Sequence, residues 1–219
     1  MNLPQFKNKD LLEQAFVHRS YLNEAKKQLA SNERLEFLGD SILSFVVSEY
    51  LYNTYPEFDE GTLTNIRSLL VNTKSLARTA EELDFGKRLL LSKGEEDAAG
   101  RLNQSLLADS FEAFVGALFL DQGIDKAREF LHQTIIIKTD VIVEKKAFKD
   151  PKSLFQEYTQ AQNHASPVYK VLTEEGPSHA KVFTVGVFVH NQQMGQGVGK
   201  SKQEAEAMAA TVALEKIGQ

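Results

Sequence analysis

The chain contains no cysteine, which rules out disulfides, zinc ribbons and thiol nucleophiles together. It also lacks any excess of positive charge: 25 Lys and Arg stand against 30 Asp and Glu, a formal net charge of −5. Dividing the chain does not uncover a basic domain. Residues 1–149 carry 19 basic and 23 acidic side chains, and residues 150–219 carry 6 and 7. A nucleic-acid partner must therefore be argued from where the cations sit, not from how many there are. No run reaches the length of a membrane span. The opening Met-Asn-Leu-Pro-Gln-Phe-Lys has no apolar signal region, so a cytoplasmic protein with no membrane partner is expected. Internal repeats and low-complexity tracts are missing as well. The 219 residues, 42% of them hydrophobic, suffice for one large or two small globular domains.

What the chain does have is a set of acids in apolar surroundings: Asn32-Glu33-Arg34-Leu35-Glu36-Phe37-Leu38-Gly39-Asp40-Ser41. On a helix, at about 100° per residue, Glu33, Glu36 and Asp40 share one narrow stripe, because they lie three and four residues apart. Leu35, Leu38, Ile42 and Phe45 fall on roughly the opposite face, as a core-facing stripe would. Acids on a helix ordinarily face water. Here Phe37, Leu43 and Val47 lie beside or beneath them, and carboxylates in a mostly apolar setting need a cation, a proton or several donors. Gly39, which costs about 1 kcal/mol inside a helix, points to a second backbone packed close by.

A partner for this helix comes later. Leu106 to Leu120 is apolar nearly all round, the mark of a buried helix, and its only charges are Asp109 and Glu112, one turn apart. If the two helices face each other, Glu36, Asp40, Asp109 and Glu112 make an all-oxygen cage with no His or Cys. That is the ligand set of a hard divalent ion such as Mg²⁺ or Mn²⁺.

The remaining pattern places these helices. Residues 1–30 read as helix, with Leu11, Leu12, Ala15 and Phe16 on one stripe and a structural His18 near its end. Asn32 is expected to cap the acidic helix, which runs to about Tyr52. Asp59-Glu60-Gly61-Thr62 opens another helix with Ile66, Leu69, Leu70 and Thr73 on one face, and Lys74 to Leu83 is a further one. Ser92 to Gly100 reads as a surface loop, and Gln104 to Asp121 and Ile124 to about Lys138 as helices. Residues 1–147 are thus expected to be all-α. After the charged linker Lys145-Lys-Ala-Phe-Lys-Asp-Pro151, a helix runs from Pro151 to about Gln162, with Leu154, Phe155 and Tyr158 inward. Val168 to Thr173, Lys181 to His190 and Met194 to Val198 read as strands, with turns at Gly176-Pro177 and Asn191-Gln192. The last helix, Lys202 to Ile217, would pack Ala205, Ala209 and Val212 on the sheet. Residues 150–219 therefore form a small α-β-β-β-α domain.

Together these regions resemble bacterial ribonuclease III, an endonuclease of double-stranded RNA. The resemblance rests on Asn32 to Ser41, on Leu107-Ala-Asp-Ser-Phe-Glu-Ala113, and on Asp150-Pro-Lys-Ser-Leu-Phe-Gln-Glu-Tyr158, Glu175-Gly-Pro-Ser-His179 and Gly199-Lys-Ser-Lys202. It covers almost the whole chain. It implies an α+β multidomain protein, with an all-α catalytic domain over 1–147 and a double-stranded-RNA-binding domain over 150–219. By position, Glu36, Asp40, Asp109 and Glu112 match the family's metal-binding carboxylates, with Asp40 and Glu112 the catalytic pair. Glu33 matches an acid near the scissile region. Glu60 matches one contributed to the active-site valley, although an acid favoured by a helix N-terminus explains Glu60 equally well.

Gln156, Glu157 and Gln160 match positions on the first helix of the RNA-binding domain that touch the minor groove. His179 matches a loop residue in the next minor groove, and Lys200 and Lys202 match a clamp on phosphates. Duplex RNA read in this way is recognised by shape and 2′-hydroxyls. The resemblance further implies a homodimer built on the acidic helix, with Phe37 and Leu38 at the interface. It implies hydrolysis by metal-activated water giving 5′-phosphate and 3′-hydroxyl ends, Mg²⁺ as cofactor with Mn²⁺ able to substitute, no small-molecule cofactor, and ribosomal RNA precursors and other structured transcripts as substrates. Where the family commonly has another basic residue after Lys202, this chain has Gln203.

Two other readings compete. A catalytically inactive RNA-binding relative would be expected to have lost ligand carboxylates, and all four are present. A di-iron bundle needs two Glu-x-x-His motifs, whereas Glu129-Phe-Leu-His132 stands alone.

Overall fold

The computed structural model describes residues 3–144, 146, 148–162, 165–177 and 180–218. Packing divides the chain into two compact units, Met1–Phe148 and Lys149–Gln219. In the first unit the elements are α1 (Lys9–Gln14), α2 (Glu33–Thr54), α3 (Glu60–Val71), α4 (Thr73–Glu82), α5 (Phe85–Arg88), α6 (Lys93–Asp97), α7 (Gln104–Gln122), α8 (Ile124–Thr134) and α9 (Thr139–Glu144). Short 3₁₀ turns lie at Arg19–Asn23, Gly100–Leu102 and Ile136–Lys138.

The unit is built on the crossing of α2 and α7. Helix α2 buries Leu35, Ile42, Leu43, Val46, Val47 and Leu51, while α7 buries nearly everything from Leu107 to Leu118. Two glycines let the backbones meet. A Cβ on Gly39 would lie 1.8 Å from the carbonyl oxygen of Glu112, and a Cβ on Gly116 would lie 2.2 Å from that of Leu35. Around this crossing, Phe16, Phe85, Phe114 and Phe130 pack edge-on or tilted with centroids 5.0–5.1 Å apart in successive pairs, a geometry that adds to simple burial.

Several sequence expectations need correction. The helix read over residues 1–30 is only Lys9–Gln14. Beyond it the backbone turns to distant partners: Leu90 N–H donates to Phe16 O at 2.8 Å, His18 N–H to Leu90 O at 3.1 Å, and Asn32 N–H to Val17 O at 2.9 Å. Val17 and Leu90 thereby form a parallel bridge inside an otherwise helical unit. Asn32 does not cap α2 with its side chain; buried, it donates to Ala15 O at 3.4 Å instead. Ser92 to Gly100 is not simply a loop, because the Ser92 hydroxyl caps α6 by accepting from Glu95 N–H. The helix from Ile124 stops at Thr134, and Ile136–Lys138 is a 3₁₀ turn. Phe45, expected inward, is 54% exposed, and Leu43 and Val47 are buried in its place.

The second unit runs α10 (Pro151–Ala161), β1 (Val168–Glu175), β2 (Val182–Val189), β3 (Gln192–Gly199) and α11 (Lys202–Lys216), with the antiparallel strands in the order β1-β2-β3. Asp150 caps α10 by accepting from Ser153 N–H at 3.1 Å, with Pro151 in the first turn. Val187 and Val189 of β2 alternate inward onto Phe155, Ala209, Ala210, Ala213 and Leu214. Ala213 and Leu214 take the place expected of Val212, which stays half-buried. The β2–β3 turn centres on His190 and Asn191, both with positive φ (48° and 64°). That is the left-handed pair of a two-residue hairpin turn, one residue earlier than the sequence suggests.

Substituting Gly39 by Ala tests the crossing. The helix-propensity gain of about 1 kcal/mol is opposed by a clash with a backbone carbonyl that cannot rotate away, and overpacking of this kind costs about 1–3 kcal/mol or more. Gly39→Ala should lower the urea midpoint and the melting temperature; an unchanged or raised melting temperature would show that the helices separate at no cost.

Candidate metal centre and nucleic-acid surface

The same crossing assembles the acids. Glu36 sits one turn before Gly39, and Glu112 carries the carbonyl that Gly39 faces. Carboxylate oxygens of Glu36, Asp109 and Glu112 all lie within 4.8 Å of one another, and each residue is partly buried. No hydrogen bond or ion pair to any of the three carboxylate groups occurs among the described residues. Half-buried carboxylates without donors or counter-charge are unfavourable unless protonated or bound to a cation. Burial, reinforced by Asp40, Glu36 and Asp109, pushes Glu112 up to about 8. Burial likewise raises Glu36, with Asp109, Glu33 and Asp40 adding to it, and raises Asp109 against a lowering pull from His18. Three oxygen donors with no His or Cys fit a hard divalent cation.

Asp40 is the exception within the expected cage. It is exposed and lies outside the group of three, although its charge bears on both Glu36 and Glu112. Glu33 is also exposed and has partners of its own, accepting from Ser31 Oγ at 2.8 Å and facing Arg19 at 3.6 Å. Glu60, in the first turn of α3 behind the Asp59 cap, accepts from Thr64 Oγ1 at 3.2 Å and lines a 730 Å³ cleft with Ser48, Tyr52 and Arg67. Thus the structure gathers three of the six acids and leaves Glu33, Asp40 and Glu60 around or away from them. His18 accepts from Ser20 N–H at its Nδ1, at 3.3 Å, which orients the ring.

In the second unit Gln156, Glu157 and Gln160 are exposed on α10, and Glu157 pairs with Lys149 at 2.7 Å. Lys200 and Lys202 are exposed at the start of α11. There Ser201 Oγ accepts from Glu204 N–H, and Glu204 reaches back to accept from Lys200 N–H at 2.7 Å. This reciprocal cap holds both lysines at a helix N-terminus, where positive potential concentrates. His179 lies outside the described residues. In the sequence Gln203 reads only as a missing cation. In the structure it lines a 560 Å³ groove together with Gln156, so α11 contributes a polar group to the surface that α10 begins. No local pattern could pair residues so far apart in sequence.

A helical acid-bearing domain followed by an α-β-β-β-α domain defines a class of two-domain protein, and comparisons with known proteins agree. The Ribonuclease-III-like family model matches residues 8–139, and the double-stranded RNA binding motif matches 151–217. Ribonuclease 3 of Anoxybacillus flavithermus is 48% identical over 98% of this chain and 90% of its own length. Among solved structures, the nuclease domain of ribonuclease III from Campylobacter jejuni is 40% identical, with a TM-score of 0.56 over 60% of this chain and 88% of that one. Dicer from Pichia stipitis is 31% identical, with a TM-score of 0.51 over 98% and 97%. The chain belongs to the ribonuclease III family, with an all-α endonuclease domain followed by a double-stranded-RNA-binding domain. Among the described residues, no helix is long and apolar enough to cross a membrane.

The raised Glu112 has a consequence for stability. Its folded-state pKa of about 8 lies above the ordinary 4.5, so between those values the folded protein keeps a proton that the unfolded chain has released. Stability without metal should therefore be full below about pH 4.5 with respect to this group and fall as the pH rises toward 8. In EDTA the protein should melt higher near pH 5 than near pH 8. Glu112→Gln should lose much of that difference and melt higher than the parent near pH 8. Parallel pH dependence in the two proteins would contradict the assignment.

Proposed function

We propose that this protein cleaves double-stranded RNA by hydrolysis, leaving 5′-phosphate and 3′-hydroxyl ends, with Mg²⁺ held by Glu36, Asp109 and Glu112 and Mn²⁺ able to replace it. The carrying observation is the trio itself: three partly buried carboxylates gathered at a helix crossing within 4.8 Å of one another, in a chain of the ribonuclease III family. When bound, a divalent ion supplies Lewis-acid activation of water and stabilisation of charge on the departing oxygen.

The chain's own residues supply position. Glu112, on the most deeply buried helix, sets the floor of the site, and Glu36 and Asp109 flank it. Asp40 completes the acid set from the solvent side and forms the catalytic pair with Glu112. Glu33 and Glu60 border the path of the RNA. Gln156, Glu157, Gln160 and His179 read the minor groove, and Lys200 and Lys202 hold phosphates, consistent with recognition by shape.

The functional form in this reading is a homodimer, supported by the exposed stripe Phe37 (78%), Phe45 and Tyr52 (73%) on α2, apolar surface that a second copy would cover. We assign its work to the cytoplasm, on ribosomal RNA precursors and other structured messenger and transfer RNA transcripts.

With Mg²⁺ or Mn²⁺ the protein should cut long RNA duplexes and spare single strands and duplex DNA; robust cleavage in EDTA would overturn the metal role. Glu112→Gln separates chemistry from binding. Loss of a ligand should lower turnover by orders of magnitude, since metal-assisted stabilisation is worth several kcal/mol and about 1.4 kcal/mol is tenfold in rate. RNA affinity by gel shift and dimer mass should persist. Near-normal cleavage by a folded Glu112→Gln dimer at low Mg²⁺ would refute its place in the site.

A further inference from the structure

Arg19 stands at the edge of the carboxylate site on a backbone fixed from several sides. The backbone of Phe16 and His18 is bonded to Leu90, and that of Val17 to Asn32 at the start of α2. On the other flank, Ser20 N–H donates to His18 Nδ1 at 3.3 Å, and Ser20 Oγ accepts from Ser92 N–H at 3.0 Å. The side chain of Arg19 is by contrast loosely held. It is 72% exposed and faces Glu33 at 3.6 Å, beyond hydrogen-bond length, while Glu33 already accepts from Ser31 Oγ. Three other arginines of this unit are committed: Arg101 donates to Gly86 O and Leu89 O, Arg128 to Glu49, and Arg67 to Ser48. Glu33 and Glu36 are one helical turn apart on α2, so the Arg19 guanidinium faces the acid one turn before the gathered group.

A site that collects this much negative charge repels an RNA backbone, and a mobile cation on a fixed stem beside it offsets that repulsion. We infer that Arg19 is a substrate-contacting residue that grips a backbone phosphate of the strand being cut, exchanging its loose pairing with Glu33 for a two-pronged contact with phosphate oxygens. This rests on the double-stranded-RNA reading above. The chemistry favours the exchange. An exposed ion pair in water contributes little and is easily given up, whereas the planar guanidinium matches a phosphate with two parallel hydrogen bonds. Glu33 then acts as a holder that keeps the guanidinium at the rim before RNA arrives.

The test uses the full-length chain and a labelled RNA duplex. Binding is measured with Ca²⁺ replacing Mg²⁺ over a series of salt concentrations, and cleavage with Mg²⁺. Arg19→Ala should weaken binding several-fold, raise KM more than it lowers kcat, and reduce the slope of log affinity against log salt by about 0.7–0.9 for each phosphate no longer neutralised. Arg19→Lys should keep the slope, because the charge remains, yet bind less tightly, because the two-pronged geometry is gone. Melting temperatures should match the parent; if the alanine variant melts early, Arg19→Gln, which keeps most of the stem without charge, gives the same reading. An unchanged slope and KM in a folded Arg19→Ala or Arg19→Gln protein overturns the inference. A parent protein that neither binds nor cuts duplex RNA overturns the underlying reading instead, so the two failures are distinct.

Discussion

Two backbones that touch are the constraint on which the first unit depends. At Gly39 and Gly116 the helices α2 and α7 approach so closely that neither position has room for a Cβ. This approach draws Leu43, Val46 and Val47 against the apolar wall of α7, and it sets the phenylalanine cluster behind them. It also decides where the carboxylates end up. Glu36 lies just before one glycine and Glu112 one turn before the other, so the closer the helices, the tighter the acids are pressed together.

That pressing has an energetic cost, and the fold bears it locally. Like charges brought within a few ångströms raise one another's pKa, and burial raises them further. Glu112 shows both effects, burial first. The rigid surround of α7, with Phe111, Phe114 and Leu118 fully buried on the same helix, keeps the acids from splaying apart to relieve the repulsion. Aromatic pairs of the kind formed by Phe114 with Phe85 and Phe130 each add about 0.5–1.5 kcal/mol beyond area burial. The site is therefore strained in charge and relaxed in packing, a combination that a cation resolves and a neutral ligand would not.

Much of this is legible from residues alone, for reasons that differ by element. The 3.6-residue period of α2 and the nearly all-apolar α7 declare themselves, and the strands follow from the alternation around Val185, Val187 and Val189. Gly39 is readable as a close approach because nothing else explains a glycine inside so regular a helix. Periodicity cannot say that Phe45 faces outward, since a helix with apolar residues on more than one face leaves open which of them meets the core. The segment from Ala15 to His18 escapes a local reading because its structure comes from Leu90 and Asn32, and long-range backbone pairing leaves no local trace. Asn32 has the residue type of a cap, whereas its amide is drawn inward to Ala15 O. Among the acids, spacing puts Asp40 in the stripe, but spacing alone does not show which member of a stripe reaches inward.

The order of the chain gives the crossing a temporal meaning. Helix α2, with Glu36, leaves the ribosome well before α7, with Asp109 and Glu112. Until α7 has emerged and seated its glycine against Leu35, Glu36 has neither Asp109 nor Glu112 beside it. The carboxylate trio is thus a property of the crossing and of neither helix alone, and it exists only once residues from both ends of the first unit have met.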